Sequence, residues 1–399
     1  MNVLFLAHSF PRFENDPVGS FVLRLATALR SANISVRVVA PGGPGLAARD
    51  QFEGIVVDRF RYAPRSLETL AYTGTMRDQV SGSWGGRAAL AGFFAAGFAA
   101  TLRASRDFRA DLVHAHWCFP GGLIGTWLRG VQPVPLVTTL HGTDLRFARV
   151  SPVARRMFGH VLRRSDAVTA VSGWLAEETR ALVPTVNPMV APMPVLPGAF
   201  SPGGPREPNR LLFVGKLNAQ KGVGHLLHAL ALMCAKPMVD IVVGVGSSEG
   251  ETRQLAASLG VADQLRWHPL LQQQDLAALY RTATALVSPS VDEGLGLVAV
   301  EAQLSELPVV AFRSGGLTEV VVHERSGLLV PPGDVAALAS ALDRLLARPD
   351  AGAEWGREGR HLGLEKFAPE AAAARYAGIY HDALRARSSR SGATPSGSA

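Results

Sequence analysis

The sequence predicts an α/β protein made of two doubly wound domains, and three observations predict it. Short apolar runs alternate with helical patterns along the whole chain, the mark of βαβ units and parallel sheets. A stretch dense in proline and glycine, VPTVNPMVAPMPVLPGAFSPGGP at 183–205, interrupts that alternation near its middle, as a linker would. The chain has 399 residues, 47% hydrophobic and 18% charged, which is enough apolar material for two cores rather than one.

Taken in order, the strands expected in the first half are NVLFLA, SVRVVA, IVVDRF, LVHAHW, LVTTL and AVTAVS, with helices at GSFVLRLATALRSA and GGLIGTWLRG. In the second half RLLFVG, MVDIVVGVG, QLRWHP, ATALVSPS, LPVVAF and GLLVP read as strands. The helical patterns between them are KGVGHLLHALALM, ETRQLAASLG, QDLAALYRTA and VAALASALDRLLARP. The domain boundary falls at 195/196, giving domains over 1–195 and 196–368. A last helix over 369–385 is expected to pack back on the first domain. The small, polar end from 386 to 399 is expected to be disordered.

The opening MNVLFLAHSFPR has no positive leader and only a five-residue apolar run, so it reads as a first strand, with the cytoplasm as the default compartment. The two cysteines, Cys118 and Cys234, are far apart and form no disulfide framework, which fits a reducing environment. The longest apolar stretch, residues 88–102, lies between Arg87 and Arg103. As a helix it would be about 22 Å long at about 1.5 Å per residue, against the roughly 30 Å of a bilayer core. A buried core helix is expected there, with a membrane-dipping helix as the alternative.

Charge is unevenly spread. Residues 1–200 carry 21 arginines and no lysine against 13 acidic residues, a net of +8, whereas 201–399 carry 19 basic against 20 acidic residues. That asymmetry suggests an anionic partner for the first half, either an anionic membrane surface at the inner face of the membrane or a phosphate-bearing acceptor. A basic composition spread over a soluble protein is the plainer explanation. No basic run interleaved with aromatics appears, which argues against nucleic acid.

In open parallel sheets, ligands bind beyond the carboxyl ends of strands, where helix N-termini supply free N–H groups. The stretch SPSVDEGLGLVAVEAQ, 288–303, falls in such a place. It puts Glu293 in a loop and Glu301 in the following helix, around a start where the N–H groups of Gly296 and Leu297 can approach a ligand. Acidic residues near a helix start also simply favour the helix dipole, by about 0.3–1 kcal/mol each. Lys216 and Lys221 occupy the equivalent place after RLLFVG in a chain with only 4 lysines. Cations there oppose the dipole, whereas an anionic ligand would gain from them.

These motifs carry a resemblance. FVGKLNAQKG, EGLGLVAVE, RSGGLTEVV, HERSGLLVPPGD and the upstream HGTDL resemble, in order and spacing, the retaining family 4 glycosyltransferases of the GT-B fold, over nearly the whole chain. The resemblance implies two Rossmann-like domains facing a cleft, the first binding acceptor and the second nucleotide sugar. It implies that Glu301 bonds the ribose hydroxyls, that Glu293 bonds the donor sugar, and that Lys221, helped by Lys216, binds the diphosphate. Gly294, Gly296 and Leu297 would complete the donor loop, the backbone of Gly19 would approach the diphosphate, and His141 would line the sugar pocket. Three positions depart from the pattern: Lys216 stands where arginine is usual, Ser20 where a second glycine is usual, and Leu307 of LSELPVV where glycine usually precedes the proline.

What the resemblance implies chemically is front-face transfer with retention. The charge growing on the leaving phosphate must be neutralised, and lysines and helix ends can do so without a metal or other cofactor, the nucleotide-diphosphate sugar being a co-substrate. No D-x-D triplet occurs in the chain. The acceptor is expected to be a hydroxyl, on a lipid-linked or polysaccharide precursor among the candidates. A nucleotide-sugar epimerase and a catalytically silent binding subunit are the alternatives. His114, His116 and Cys118 alternate along one strand and, with His141, raise zinc as a weaker reading. GVGSSEG hints at dinucleotide binding without the usual spacing.

Overall fold

The computed structural model describes residues 1–72, 76–244 and 249–392. The chain divides into two compact units: Met1–Pro194 with Pro369–Ala399, and Val195–Ala368.

The first unit is built on eight strands: β1 (Asn2–Leu6), β2 (Ser35–Pro41), β3 (Arg49–Phe52), β4 (Ile55–Phe60), β5 (Leu112–His116), β6 (Leu136–Leu140), β7 (Ala167–Ala170) and β8 (Met189–Val190). Their order is β3-β4-β2-β1-β5-β6-β7-β8. All pairs are parallel except β3 with β4. The strand direction of travel therefore reverses between β1 and β5, where a doubly wound sheet opens a crevice.

The two-residue side-chain period of β1 shows how the sheet is covered. Leu4 and Leu6 join Val39, Phe60, Phe93 and Ile124 in one core. Phe5 faces the other way and meets the ring of His114 edge-on at 4.9 Å. On that second face lies the last helix, Pro369–Gly392, in contact with helix Ser20–Ala28. Its Tyr376 hydroxyl donates to the Ala191 carbonyl at 3.0 Å, and Tyr380 Oη lies 2.7 Å from His114 Nδ1.

The second unit has six strands: β9 (Arg210–Gly215), β10 (Met238–Val243), β11 (Leu265–His268), β12 (Ala285–Ser288), β13 (Val309–Phe312) and β14 (Gly327–Val330). All are parallel, in the order β11-β10-β9-β12-β13-β14. Its switch point lies between β9 and β12. Both neighbouring strands are fully apolar at their centres, with Leu211, Leu212, Leu286 and Val287 buried.

The twelve strands anticipated from the sequence are present, and the structure adds two. β3 is a charged edge strand, RDQF, joined to β4 through Glu53 and Gly54, both at positive φ (49° and 80°), the backbone a two-residue hairpin requires. β8 is only two residues long. Two expectations need correction. The apolar helix is not 15 residues but 25, Trp84–Phe108, because Ser83, upstream of the apolar run, caps it by accepting the Gly86 N–H. At about 1.5 Å per residue it is about 37 Å long, so the argument that it is too short for a bilayer fails: by length and composition it could cross one. In this unit Ala89, Phe93, Gly97, Thr101 and Ala104 bury one side of it in the core. The final helix continues to Gly392, so residues 386–392 are helical rather than disordered. Residues 393–399 lie outside the described residues, as do 245–248 of the GVGSSEG stretch.

Candidate functional site

In the second unit, the loops leaving β9 and β12 flank the switch point and are bound to each other. The Val291 N–H donates to the Gln220 carbonyl at 2.8 Å. Gly222, at φ 73°, lets the lysine loop lie against the chain after β12, since a Cβ there would come within 1.9 Å of the Pro289 carbonyl oxygen. Asn218 Oδ1 accepts the Lys221 N–H at 2.9 Å and so holds the backbone of that lysine. The two loops then deliver opposite charges to one point: Lys221 Nζ donates to Glu293 Oε2 at 2.6 Å. Lys221, Ser288, Ser290, Glu293, Gly296 and Val298 line a pocket there.

A third loop fixes the glutamate from behind. The Gly316 N–H donates to the Glu293 carbonyl at 2.8 Å, and the Asp292 N–H to Ser314 Oγ at 3.0 Å. Gly315, at φ 60°, packs so closely that a Cβ would sit 2.3 Å from the Glu293 carbonyl oxygen. Helix Leu297–Leu304 starts from Gly296 at φ 93°, and its first amides have no intrahelical acceptor. Glu301 lies in this helix, where the hydroxyl of the buried Tyr280 donates to its Oε2 at 3.2 Å. Lys216 follows β9 directly and is half-buried. Gly294 is buried at the turn between Glu293 and the helix.

The first unit holds Gly19 and His141. Gly19, at φ 72°, starts helix Ser20–Ala28. His141 follows β6 and is surrounded by rings: Trp117 at 4.5 Å, Phe21 at 5.2 Å and a stacked His116 at 5.4 Å between centroids. Its Nε2 is 3.2 Å from His116 Nδ1, so these two nitrogens share one proton. Burial holds the rings of His8, His114, His116 and His141 neutral, lowering His8 to about 4 and the others well below the ordinary value. The zinc reading finds no support in these contacts. His114 spends both nitrogens, one on Tyr380 and one on Thr139 Oγ1 at 2.6 Å. Among the described residues no group of three histidine, cysteine or acidic side chains is placed to hold a metal ion.

Sequence reasoning thus named the lysines, the glutamates and His141, and missed what positions them. Asn218, Tyr280, Ser314, Gly315 and Asp144 were not singled out. Of these, Asn218, Ser314, Gly315 and Asp144 stood inside the quoted motifs FVGKLNAQKG, RSGGLTEVV and HGTDL, as polar or glycine positions.

Comparison with known proteins gives the family and the fold. Residues 199–362 match the family described as Glycosyl transferases group 1, and residues 18–195 match Glycosyltransferase Family 4. An MMP alpha-(1->4)-mannosyltransferase of Mycolicibacterium hassiacum is 33% identical over 306 residues, 72% of this chain and 74% of that protein. The chain belongs to glycosyltransferase family 4. Among other members of this family, a D-inositol 3-phosphate glycosyltransferase of Streptomyces bingchenggensis is 34% identical over 69% of this chain and 67% of its own. Sucrose-phosphate synthase from Thermosynechococcus elongatus has the same GT-B fold, with a TM-score of 0.81 at 23% identity over 96% of this chain and 99% of that one. Anabaena HepE, solved in complex with UDP-glucose, superposes with a TM-score of 0.72 at 18% identity, covering 96% and 99%.

Proposed function

We propose that this glycosyltransferase takes its sugar from a nucleotide-diphosphate donor and transfers it with retention, without a metal or other cofactor. The observation that carries the proposal is the Lys221–Glu293 pair at the switch point of the second unit, beside a helix start with open amides. Paired at 2.6 Å, each group neutralises the other. A donor would divide them: the diphosphate takes the lysine, and the sugar hydroxyls donate to the freed carboxylate. Such an exchange replaces one charge-assisted contact by two.

The remaining residues follow from this assignment. Glu301, already steadied by Tyr280, accepts from the ribose hydroxyls. Lys216 adds a second cation for the phosphates, while the amides of Gly296 and Leu297 and the loop at Gly294 complete the donor contacts. In the first unit Gly19 lets the backbone approach the diphosphate and His141 meets the sugar. Its Nε2 is taken by His116, so Nδ1 is the nitrogen left for a sugar hydroxyl. As the anomeric C–O bond breaks, its electron pair goes to the leaving phosphate. The growing charge meets cations and dipoles already in place, which is the condition for electrostatic catalysis. The acceptor hydroxyl attacks on the same face and passes its proton to the departing phosphate oxygen. HepE, solved with UDP-glucose, supports the donor class, and relatives named as a mannosyltransferase and an inositol phosphate glycosyltransferase support glycosyl transfer.

The test is Glu293→Gln, assayed for transfer from UDP-, GDP- and ADP-sugars in the presence of EDTA and for binding of the free nucleotide diphosphate. Transfer is expected to be lost while nucleotide diphosphate binding is kept, with the wild type retaining full activity in EDTA and giving a product of the donor's anomeric configuration. Equal weakening of nucleotide diphosphate binding would remove Glu293 from the sugar. An inverted product would overturn retention, and loss in EDTA restored by magnesium or manganese would overturn metal independence.

A further inference from the structure

Asp144 is a carboxylate buried to 9% exposure in the first unit, with no cationic partner among the described residues. Its contacts are backbone amides from two different turns. Oδ1 accepts the Cys118 N–H at 2.7 Å, from the turn after β5, and Oδ2 accepts the His141 N–H at 3.0 Å, from the turn after β6. The nearby amides of Phe119 and of Asp144 itself also favour its charged form. One side chain therefore joins the ends of β5 and β6, where His116 closes the first strand and His141 follows the second. The rings beside this join are close: His116 Nδ1 to His141 Nε2 is 3.2 Å, and Trp117, at φ 64° in the first of the two turns, packs on His141.

We infer that Asp144 is a positioning residue for the transfer reaction, its carboxylate holding His141 and the turn after β5 in the geometry that meets the donor sugar. The inference rests on the proposed role of His141. Only the ionised carboxylate presents a full acceptor oxygen to each of the two turns. A protonated acid, or the amide of asparagine, turns a donor toward an N–H and opens one turn from the other.

The charge state of Asp144 is set locally. Burial raises its carboxyl to about 6, against the opposing pull of the surrounding amides. The titratable groups around it do not change charge in the same range. Cys118 is kept a thiol by burial and by Asp144 itself, and His8, His116 and His141 are kept neutral by burial. Of the arginines on the adjoining helices, Arg149 bonds Glu178, and Arg155 donates to the Ala148 carbonyl. Arg146 lies on the same helix as Asp144 and makes its own contacts. As pH falls through about 6 the clamp gains a proton and loosens, so turnover falls on the acid side.

The chain has only two cysteines, so labelling cysteine with 15N yields two amide signals, separated by a Cys234→Ser variant. The Cys118 amide proton is expected to move upfield on acidification with a midpoint near 6, with no substrate present. The kcat of the wild type is expected to fall with the same midpoint. Asp144→Asn is expected to shift the Cys118 signal at every pH, to abolish the acid limb, and to lower kcat about tenfold to a hundredfold, as a misplaced reacting geometry does, with the donor KM little changed. A Cys118 signal that does not titrate between pH 5 and 7 overturns the inference, as does a limb with a different midpoint or an asparagine variant of full kcat. Should Asp144→Asn fail to fold, the two wild-type titrations still decide it. Should no nucleotide sugar serve as donor, the proposed function falls, and the amide titration still tests the clamp.

Discussion

The two units share one architecture and differ in what they place at the carboxyl edge of the sheet. Each has a parallel sheet whose order reverses beside its first strand, at β1/β5 and at β9/β12. In the second unit that edge carries charge: Lys221 and Glu293 are paired at 2.6 Å, and a helix start lies beside them. In the first unit it carries neutral rings, with four histidines kept uncharged by burial and one carboxylate held by backbone amides. The same fold thus makes an ionic site where loops bring side-chain charges together, and a site of shape and hydrogen bonds where they bring aromatic side chains. The lesson is that the sheet supplies the place and the loops supply the chemistry.

The comparison breaks most readily at Lys221. Replacing it by alanine removes the cation assigned to the leaving phosphate, and kcat should fall by about a hundredfold to a thousandfold, the usual effect of losing one preorganised charge-stabilising group. If the loss in steady-state turnover is no deeper than that of Asp144→Asn, the ionic edge is not the more important of the two. A smaller effect is expected from Gly315→Ala. The added Cβ would press on the Glu293 carbonyl from 2.3 Å in a backbone at φ 60°. It should cost about 1–3 kcal/mol of stability, seen as a lower melting temperature, together with reduced transfer. Unchanged melting and activity would mean that the loop behind Glu293 yields without consequence. The smallest effect is expected from Lys216→Arg, which keeps the charge and adds a second donor direction. Turnover should stay close to wild type, and a loss as deep as that of Lys216→Ala would show that this position needs the lysine's point charge and reach.

Legibility followed the range of the interaction. The alternation of apolar residues marks β1 and β9 because burial on each face is written every second residue or continuously. β3 was not legible, since RDQF at a sheet edge buries little and its pairing depends on the turn at Glu53–Gly54. The helix over 84–108 was read too short because its first turn is set by the Ser83 cap and its last by polar residues, neither of which belongs to the apolar run. At the site, Lys216, Lys221, Glu293, Glu301 and His141 could be named because each stands in a short motif. Asp144 stood in one of those motifs too, yet its importance lies in reaching Cys118, 26 residues away in sequence.

By itself the sequence determined the two parallel sheets, the family, and which side chains carry charge at which strand ends, because hydrophobic period, glycine and proline placement and motif spacing are local properties of the chain. Only the tertiary structure decided which of those groups meet. Lys221 and Glu293 are 72 residues apart and become an ion pair through the adjacency of β9 and β12. His116 and His141 are 25 residues apart and become stacked rings through the adjacency of β5 and β6. Burial then sets the charge of the groups so assembled, because desolvation acts on a side chain's whole surroundings, and those surroundings exist only once distant strands have paired.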